Sequence, residues 1–263
     1  MEASNRICSF SSHSFASMDD LFLVKSHVDI EFLRSWGKRH QHLGPQNDFG
    51  YVIHAILEIL FRKNRPQTFY FDRSNDNLYF YSNFSRAQLT KQLTNTNRAA
   101  CCGLGLGNFC HDCEVMDITS MTAMDQQLSF QIKTSPTKRL TGSGREVDVF
   151  SVTDGSEQER HAAYKKWLHA RILESGLGDV NIDDVAIEQH SVLRREKRIV
   201  DSKNRKKVVI DVPVALFTGT FTVHTRKCFL ESLLNGIGRH KAFGFGMLMI
   251  KPALITTNSL SKQ

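Results

Sequence analysis

The sequence contains no apolar run long enough to cross a bilayer. Its longest apolar stretch, residues 51–61, is interrupted by His54 and Glu58. The first twenty residues are rich in serine and lack the continuous hydrophobic region of a secretion signal. These absences argue against a membrane-bound or secreted protein, and we interpret residues 1–20 as a flexible leader before the folded chain.

Cysteine is scarce and unevenly placed, which argues against a disulfide framework and favours a reducing, cytoplasmic location. Four of the six cysteines fall in a short glycine-rich segment, at Cys101, Cys102, Cys110 and Cys113. The CxxC pair of Cys110 and Cys113 is a common half of a zinc site, but its spacing from the other two is not standard. We favour buried or incidental thiols over a structural zinc. No HExxH motif accompanies them, so we expect no metal and no cofactor in the chemistry.

The most informative segment is GIGRHKAFGFG at residues 236–246. Its spacing is neither the dinucleotide pattern GxGxxG nor the GxxxxGK[ST] loop of nucleoside triphosphatases. Glycine lets a polymer approach the main chain, and exposed N–H groups beside cations suit phosphate. We therefore expect a long anionic backbone as ligand in place of a mononucleotide. The candidate contacts are Gly236, Gly238, Arg239, His240, Lys241 and Gly244.

Positive charge is concentrated in one segment. The chain has 34 basic and 27 acidic residues, a net charge of +7. Residues 193–207 carry eight cations against two carboxylates, which places +6 of that charge on one element. A solvated hairpin would account for this, but the concentration favours a nucleic-acid contact. The cations are Arg194, Arg195, Lys197, Arg198, Lys203, Arg205, Lys206 and Lys207.

Hydrophobic periodicity predicts an α+β protein with two tandem ferredoxin-like (βαββαβ) domains, at residues 21–135 and 145–254. The clearest helix follows Asn47 and Asp48, presents six apolar side chains of residues 49–60 on one face, and ends at Arg65–Pro66. We expect residues 115–119 and 128–134 to form a hairpin, and residues 36–46 to be an irregular connection. In the second domain we expect a strand at 147–152, a helix at 161–173, a charged hairpin over 185–223, a helix at 227–235 and a last strand at 247–251.

Two polar side chains on the outer face of the first helix are candidates for catalysis. At about 100° per residue, Tyr51 and His54 lie one turn apart and point away from the core. A histidine on an exposed helix face is usually inert, but no packing requirement explains either ring there. Imidazole exchanges a proton near neutral pH, and is therefore a candidate general acid or base for a ribose 2′-OH or a departing 5′-oxygen. Tyr51 would position the 2′-OH or share the proton transfer, and a nearby cation would stabilise the phosphate.

Several of these segments, taken in order, resemble the CRISPR repeat-processing endoribonucleases, specifically the CasE-like subunit of type I-E Cascade complexes. The resemblance rests on a YxxH motif at Tyr51 and His54, a KTSPTK segment ending at Lys138, the pair Gly144–Arg145, the basic hairpin and the glycine-rich segment. It covers residues 21–254, and the leader, residues 32–46 and the cysteine-rich loop are additions to it.

The resemblance implies paired ferredoxin-like folds with RNA across their junction. It implies binding of a CRISPR repeat hairpin and cleavage of precursor CRISPR RNA by 2′-OH attack, which leaves a 2′,3′-cyclic or 3′ phosphate. His54 would act as general acid or base with assistance from Tyr51, while the basic hairpin, Lys138 and Arg145 would bind RNA. The enzyme would then stay on the mature guide RNA, among the other subunits of an effector complex.

Three other interpretations are open. The related processing subunit of plasmid-borne type IV systems is similar in outline but relies on arginines, and Arg34 or Arg239 would then take over from His54. A non-catalytic subunit would bind an RNA hairpin within a ribonucleoprotein without cutting it. A zinc-stabilised DNA-binding regulator would need metal at the cysteines, and we find no recognition helix to support it.

Overall fold

The computed structural model describes residues 20–43, 48–107, 113–123, 125–150, 155–201 and 204–252. For residues 122, 182, 194–201 and 204–210 the description covers the backbone alone. The predicted leader therefore lies outside the described residues up to residue 19.

The N-terminal unit is an antiparallel sheet with the strand order β2–β3–β1–β4, which is the order of a ferredoxin-like fold. One face of the sheet packs against the helices through Val24, Leu78 and Phe80. The elements in chain order are β1 (Phe22–His27), α1 (Ile30–Arg39), α2 (Gly50–Phe61), β2 (Phe69–Asp72), β3 (Asn77–Ser82), α3 (Arg86–Thr94), α4 (Arg98–Gly103) and β4 (Cys113–Asp117).

The C-terminal unit repeats this arrangement. Its main sheet has the order β11–β5–β10, and both β9 and β8 pair with β10. Together with α5 and α6, strands β5, β9, β10 and β11 form a second βαββαβ unit, so the predicted tandem ferredoxin-like fold is confirmed. The elements are β5 (Gln127–Thr134), β6 (Thr137–Arg139), β7 (Glu146–Asp148), α5 (Glu157–Ser175), β8 (Gly178–Asp179), β9 (Ala186–Asp201), β10 (Asn204–Val223), α6 (Arg226–Asn235) and β11 (Leu248–Pro252).

Strand β5 corrects the predicted hairpin of residues 115–119 with 128–134. It pairs with β10 and β11 of the second sheet, whereas β4 pairs with β1 of the first. The second unit therefore begins with β5, and the expected strand at 147–152 is the short β7, which pairs only with β6 in the described chain. Two strands that are neighbours in the sequence were expected to pair, but burial against α5 and α6 places β5 in the other core.

The connection predicted to be irregular, residues 36–46, is helical only at its start: residues 36–39 end helix α1, residues 40–43 are non-helical, and residues 44–46 lie outside the described part. Helix α1 covers Ile30–Arg39, and the side chain of Asp29 caps it by accepting a hydrogen bond from the backbone N–H of Phe32. Similar caps start other helices: Ser85 begins α3 and Ser156 begins α5, each with a reciprocal capping box. Among the described residues, no helix combines the length and the apolar character that a membrane span requires.

The two units are packed together. The face of the N-terminal sheet opposite its helices contributes Leu23, Tyr79 and Tyr81 to the core of the C-terminal unit. The buried hydroxyl of Tyr81 donates a hydrogen bond to the backbone carbonyl of Leu248, 2.8 Å away. The relative position of the two units is thus set by direct contact, which matters because the candidate site draws on both.

The charged hairpin predicted over residues 185–223 is present as β9 and β10, the longest pair of strands in the described sheets. Strands β9 and β10 pair from Ala186↔Thr218 to Asp201↔Asn204, with one irregularity between Leu216 and Phe217. Strand β10 pairs with β5 only over residues 215–222. The distal half of the hairpin, residues 191–201 paired with 204–214, therefore extends beyond the sheet as a two-stranded arm.

Candidate active site and nucleic-acid interface

Helix α2 places His54 and Tyr51 as the sequence predicts. The apolar face, residues 49, 52, 53, 56, 57 and 60, is buried, and the rings of Tyr51 and His54 follow one another on the other side, 6.0 Å apart. Tyr51 is 40% exposed. The side chain of His54 is only 15% exposed, so it is less open to solvent than its position on the outer face suggested.

The surroundings of His54 favour its neutral form. Nη1 of Arg65 lies 3.4 Å from Nδ1, and a carboxylate oxygen of Glu58 lies 4.0 Å from Nε2. Burial lowers the pKa of His54 below its usual 6.5; the Arg65 charge lowers the pKa further, and Glu58 opposes both. Since a guanidinium only donates hydrogen bonds, Nδ1 accepts here and the neutral ring carries its proton on Nε2.

The glycine-rich segment of the second unit reaches the start of α2. The ring of Phe243 lies 5.7 Å from that of Tyr51. A Cβ at Gly50 would be 2.5 Å from the carbonyl oxygen of Phe243, so only glycine allows this approach. The segment thus forms one wall of the candidate site, although it lies almost two hundred residues further along the chain.

The glycines of this segment have an internal role that the sequence prediction did not include. Gly236, Gly238, Gly244 and Gly246 all have positive φ, and a Cβ at each would meet protein atoms at 2.3–2.9 Å. The space next to these glycines is therefore filled by the protein itself. The expectation that Gly236, Gly238 and Gly244 bring RNA close to the main chain stays a prediction, and their packing alone explains why they are glycine.

The cations of the segment differ in their surroundings. Arg239 and His240 both contact the carboxylate of Glu146, at 2.7 and 3.1 Å, and Arg139 lies 3.6 Å from the same group. Lys241 is partly buried, which lowers the pKa of its ammonium group. Arg239 and His240 are therefore held in place by a carboxylate that an incoming phosphate would have to replace.

A large open cleft of about 2090 Å³ runs along the junction of the two units. The described residues of its walls include nine cations and two carboxylates, Glu174 and Glu231. Arg65 lies at its edge and connects it to His54. Of the predicted RNA contacts, Gly236, Gly238, Arg239, Lys241 and the exposed Lys138 line it. The cations are Lys63, Arg65, Lys138, Arg139, Arg171, Arg226, Lys227, Arg239 and Lys241.

The structure describes only some of the remaining predicted RNA contacts. Arg145 is exposed beside the short β7 strand, outside the lining of the cleft. The backbone of the basic hairpin is described, but the side chains of Arg194, Arg195, Lys197, Arg198, Arg205, Lys206 and Lys207 lie outside the described part, and so does Lys203 entirely. Their role in binding stays a prediction that rests on the position of the arm.

A protein-family model described as CRISPR associated protein matches residues 26–252. The chain belongs to this family. A curated relative, CRISPR-associated endoribonuclease Cse3 of Thermus thermophilus, is 30% identical over 132 residues. That match covers 48% of this chain and only 56% of the relative, little more than half of its length.

Solved structures support the fold of this CRISPR-associated protein. CRISPR endoribonuclease Cse3 bound to a 19 nt RNA superposes with a TM-score of 0.58 at 20% identity, over 89% of this chain and 100% of that one. A chain of a CRISPR RNA-guided surveillance complex in a pre-nicking state gives a TM-score of 0.53 at 17% identity, over 88% and 100% of the two chains. At these identities the likeness establishes the fold alone.

Sequence reasoning missed part of the site of this CRISPR-associated protein. Helix α1 and the turn after it bring a row of rings towards Tyr51: His42 lies edge-on to it at 5.0 Å, and Trp36 stacks on His40 at 4.2 Å. Arg65 was identified only as the end of a helix. The apolar spacing of Leu33 and Trp36 behind an Asp29 cap was the available signal for α1; nothing local predicted the contact of Arg65 with His54.

The cysteines are only partly described. Cys101 and Cys113 are buried and Cys102 is exposed, while Cys110 and His111 lie outside the described residues. The thiol of Cys101 lies 3.2 Å from the hydroxyl of Thr96, and burial raises the pKa of this thiol. Two of the three described members of the cluster therefore fit the interpretation of buried thiols, and the zinc alternative at this segment stays open at Cys110.

Proposed function

We propose that this protein is an endoribonuclease that binds a CRISPR repeat hairpin and cleaves precursor CRISPR RNA without a metal ion. The observation that carries the proposal is a neutral, largely buried imidazole, His54, which lies beside Tyr51 and Arg65 at the edge of a cleft whose described lining includes nine cations. Such a cleft suits a polyanion, and such an imidazole suits proton transfer near neutral pH. The named activity of the Thermus relative agrees with this assignment.

In this mechanism His54 removes the proton of the 2′-OH. The 2′-oxygen forms a bond to the adjacent phosphorus and the bond from phosphorus to the 5′-oxygen breaks. The leaving 5′-oxygen takes up a proton from water, and the imidazolium of His54 returns its proton to the solvent. Nδ1 of His54 is engaged by Arg65 through a long contact of 3.4 Å. A phosphate that drew Arg65 to itself would free Nδ1 as the base and would receive a cation to stabilise its developing charge.

Tyr51 assists this step from one turn away. Its exposed hydroxyl would position the 2′-OH, and its ring is fixed against Phe243 of the glycine-rich segment. If catalysis relies on arginine, as in the type IV alternative, Arg65 is the candidate because it contacts His54 at the edge of the cleft. Arg34, the candidate from the sequence, forms an ion pair with Glu31, and Arg239 forms one with Glu146.

The RNA stem would lie in the cleft, and the two-stranded arm of residues 191–214 would grip it. A stem recognised through its shape and phosphates makes binding strongly dependent on salt. We further propose that the protein keeps its product and joins the other subunits of an effector complex, since a chain of a surveillance complex has the same fold. The alternative is a subunit that binds the same hairpin and does not cut it.

The test is cleavage of a labelled repeat-hairpin RNA in EDTA by the wild-type protein, by His54→Ala and by the control His224→Ala. His224 is an exposed histidine paired with Asp179 in the second unit. We expect His54→Ala to lose about 10²–10⁴-fold in single-turnover rate with RNA affinity unchanged. The control should cut normally, and the product should end in a cyclic or 3′ phosphate.

Other outcomes would refute specific parts of the proposal. Equal cleavage by His54→Ala and wild type would remove the histidine mechanism and direct attention to Arg65. Tight binding of cognate repeats with no cleavage by the wild type would favour the non-catalytic subunit. Loss of wild-type cleavage in EDTA, restored by Mg²⁺, would refute metal independence.

A further inference from the structure

Three potential metal ligands lie close together in the C-terminal unit, outside the cleft. Glu157 and His161 lie one turn apart at the start of α5, and His190 lies on β9. Oε1 of Glu157 is 3.7 Å from Nε2 of His161 and 3.9 Å from Nδ1 of His190, and the three atoms all lie within 4.8 Å of one another. The imidazole rings meet edge to face, with centroids 5.5 Å apart.

One of these atoms has no ordinary partner. Nε2 of His161 is buried and makes no hydrogen bond among the described residues, although it faces the carboxylate at 3.7 Å. Buried polar atoms are almost always paired, so an unpaired ring nitrogen at the centre of a ligand cluster needs an explanation. A cation between the three groups would supply the missing partner.

The arrangement suits a borderline transition metal. Around a tetrahedral zinc with bonds of 2.0–2.1 Å, neighbouring ligand atoms are about 3.3 Å apart. Each histidine nitrogen would therefore have to approach Oε1 of Glu157 by less than about 1 Å, and the two nitrogens would have to approach each other by at most about 1.5 Å. Imidazole and carboxylate are ligands that Zn²⁺ and Co²⁺ accept. Glu157 and His190 are exposed, which leaves room for a water as fourth ligand. We propose that Glu157, His161 and His190 form a Zn²⁺ site.

The position of the site indicates what a bound ion would do. His190 pairs with Ala215 of β10, just before the hairpin leaves the sheet. An ion shared with Glu157 and His161 would tie α5 to the base of the arm, four residues before its first cation, Arg194. The ion would steady the arm and take no part in cleavage, so the site is compatible with the proposed metal-independent chemistry at His54.

The experiment uses the full chain, free of any purification tag and stripped with EDTA. Cobalt and zinc are titrated into wild-type protein, His161→Gln, His190→Gln and the control His224→Gln. We expect one equivalent of Co²⁺ to give visible absorption bands in the wild type and the control, and zinc to raise their melting temperature. Each ligand variant should lose at least about 10–100-fold in affinity, because even an outer-shell partner is worth that much.

Several results would overturn the site. These are equal metal affinity in the ligand variants and the control, absence of one-equivalent binding in the wild type, or a strong near-ultraviolet thiolate band that assigns the metal to cysteine. Should His161→Gln fail to fold by circular dichroism, Glu157→Gln, on the exposed first turn of α5, decides in its place. None of these readouts involves RNA cleavage, so the site and the proposed nuclease stand or fall separately.

Discussion

Tyr51 packs against Phe243, with ring centroids 5.7 Å apart, so a residue of the second unit fixes the orientation of the candidate assisting side chain in the first. The same approach brings the Phe243 carbonyl within 2.5 Å of a Cβ at Gly50. The candidate site is therefore assembled only when both units are folded and docked.

Two substitutions at Tyr51 distinguish a role of its hydroxyl in catalysis from a role of its ring in packing. Tyr51→Phe keeps the ring contact and removes the hydroxyl, whereas Tyr51→Ala removes both. If the hydroxyl orients the 2′-OH, single-turnover rates should fall about tenfold or more in Tyr51→Phe, with a larger fall in Tyr51→Ala. A normal rate in Tyr51→Phe beside a slow Tyr51→Ala would leave the ring as a packing element only.

The pH dependence of cleavage should follow the neutral form of His54. Its pKa is lowered below 6.5, so the rate should rise with pH through a midpoint below 6.5 and then level off. Arg65→Gln removes a positive charge, which raises the pKa and moves the midpoint to higher pH. Glu58→Gln removes a negative charge and moves it to lower pH.

Single-turnover rates between about pH 4.5 and 8, a range that brackets the ordinary titration of imidazole, measure both shifts. Movement of both midpoints in the same direction would contradict the assignment of the titrating group to His54.

Glu146 should limit RNA binding in the free protein. Its carboxylate contacts Arg239 and His240, and a phosphate must displace it. Glu146→Gln should therefore bind repeat RNA several-fold more tightly at low salt, and the slope of log K against log salt should steepen by about 0.7–0.9 for each extra phosphate neutralised. Glu114→Gln, which frees Lys25 away from the cleft, is the control and should bind like wild type.

Two glycines with nearly equal φ distinguish the cost of backbone strain from the cost of crowding. Gly142 has φ +86° and open space around a Cβ, whereas Gly246 has φ +84° and the Ile237 carbonyl oxygen at 2.3 Å. Alanine at Gly142 should cost about 1–2 kcal/mol, the penalty of the left-handed region. Alanine at Gly246 should cost roughly 1–3 kcal/mol more, because a backbone group has to move. Urea unfolding measures both, and equal costs would contradict the packing role of the segment.

The hydrogen bond from Tyr81 to the Leu248 carbonyl should stabilise the docking of the two units. Both residues are buried, so Tyr81→Phe leaves a carbonyl without its partner and should cost about 1–3 kcal/mol. Tyr79→Phe, in the same strand and half buried, should cost less. A smaller effect at Tyr81 than at Tyr79 in thermal or urea unfolding would remove this contact from the interface.

The predictable parts of this protein are those with strong local signals. The face of α2 follows from six apolar residues at helical spacing, and the arm from two long strands around a polar turn. Pairing between distant strands has no local signal, which is why β5 was assigned to the wrong sheet. The contact of Arg65 with His54 was also out of reach, because it depends on the chain turning at Arg62, a non-glycine residue at φ 50°.

The length of the two-stranded arm determines how far its tip moves when the arm tilts. From residue 204 to 214, strand β10 has β9 as its strand partner in the described sheets, a length of about 37 Å at about 3.4 Å per residue. A rotation of about 10° at its base would move the tip by roughly 6 Å, about the rise of two residues of strand. Under the proposed function, such a tilt of the arm would let it follow RNA stems of different width while both cores stay unchanged.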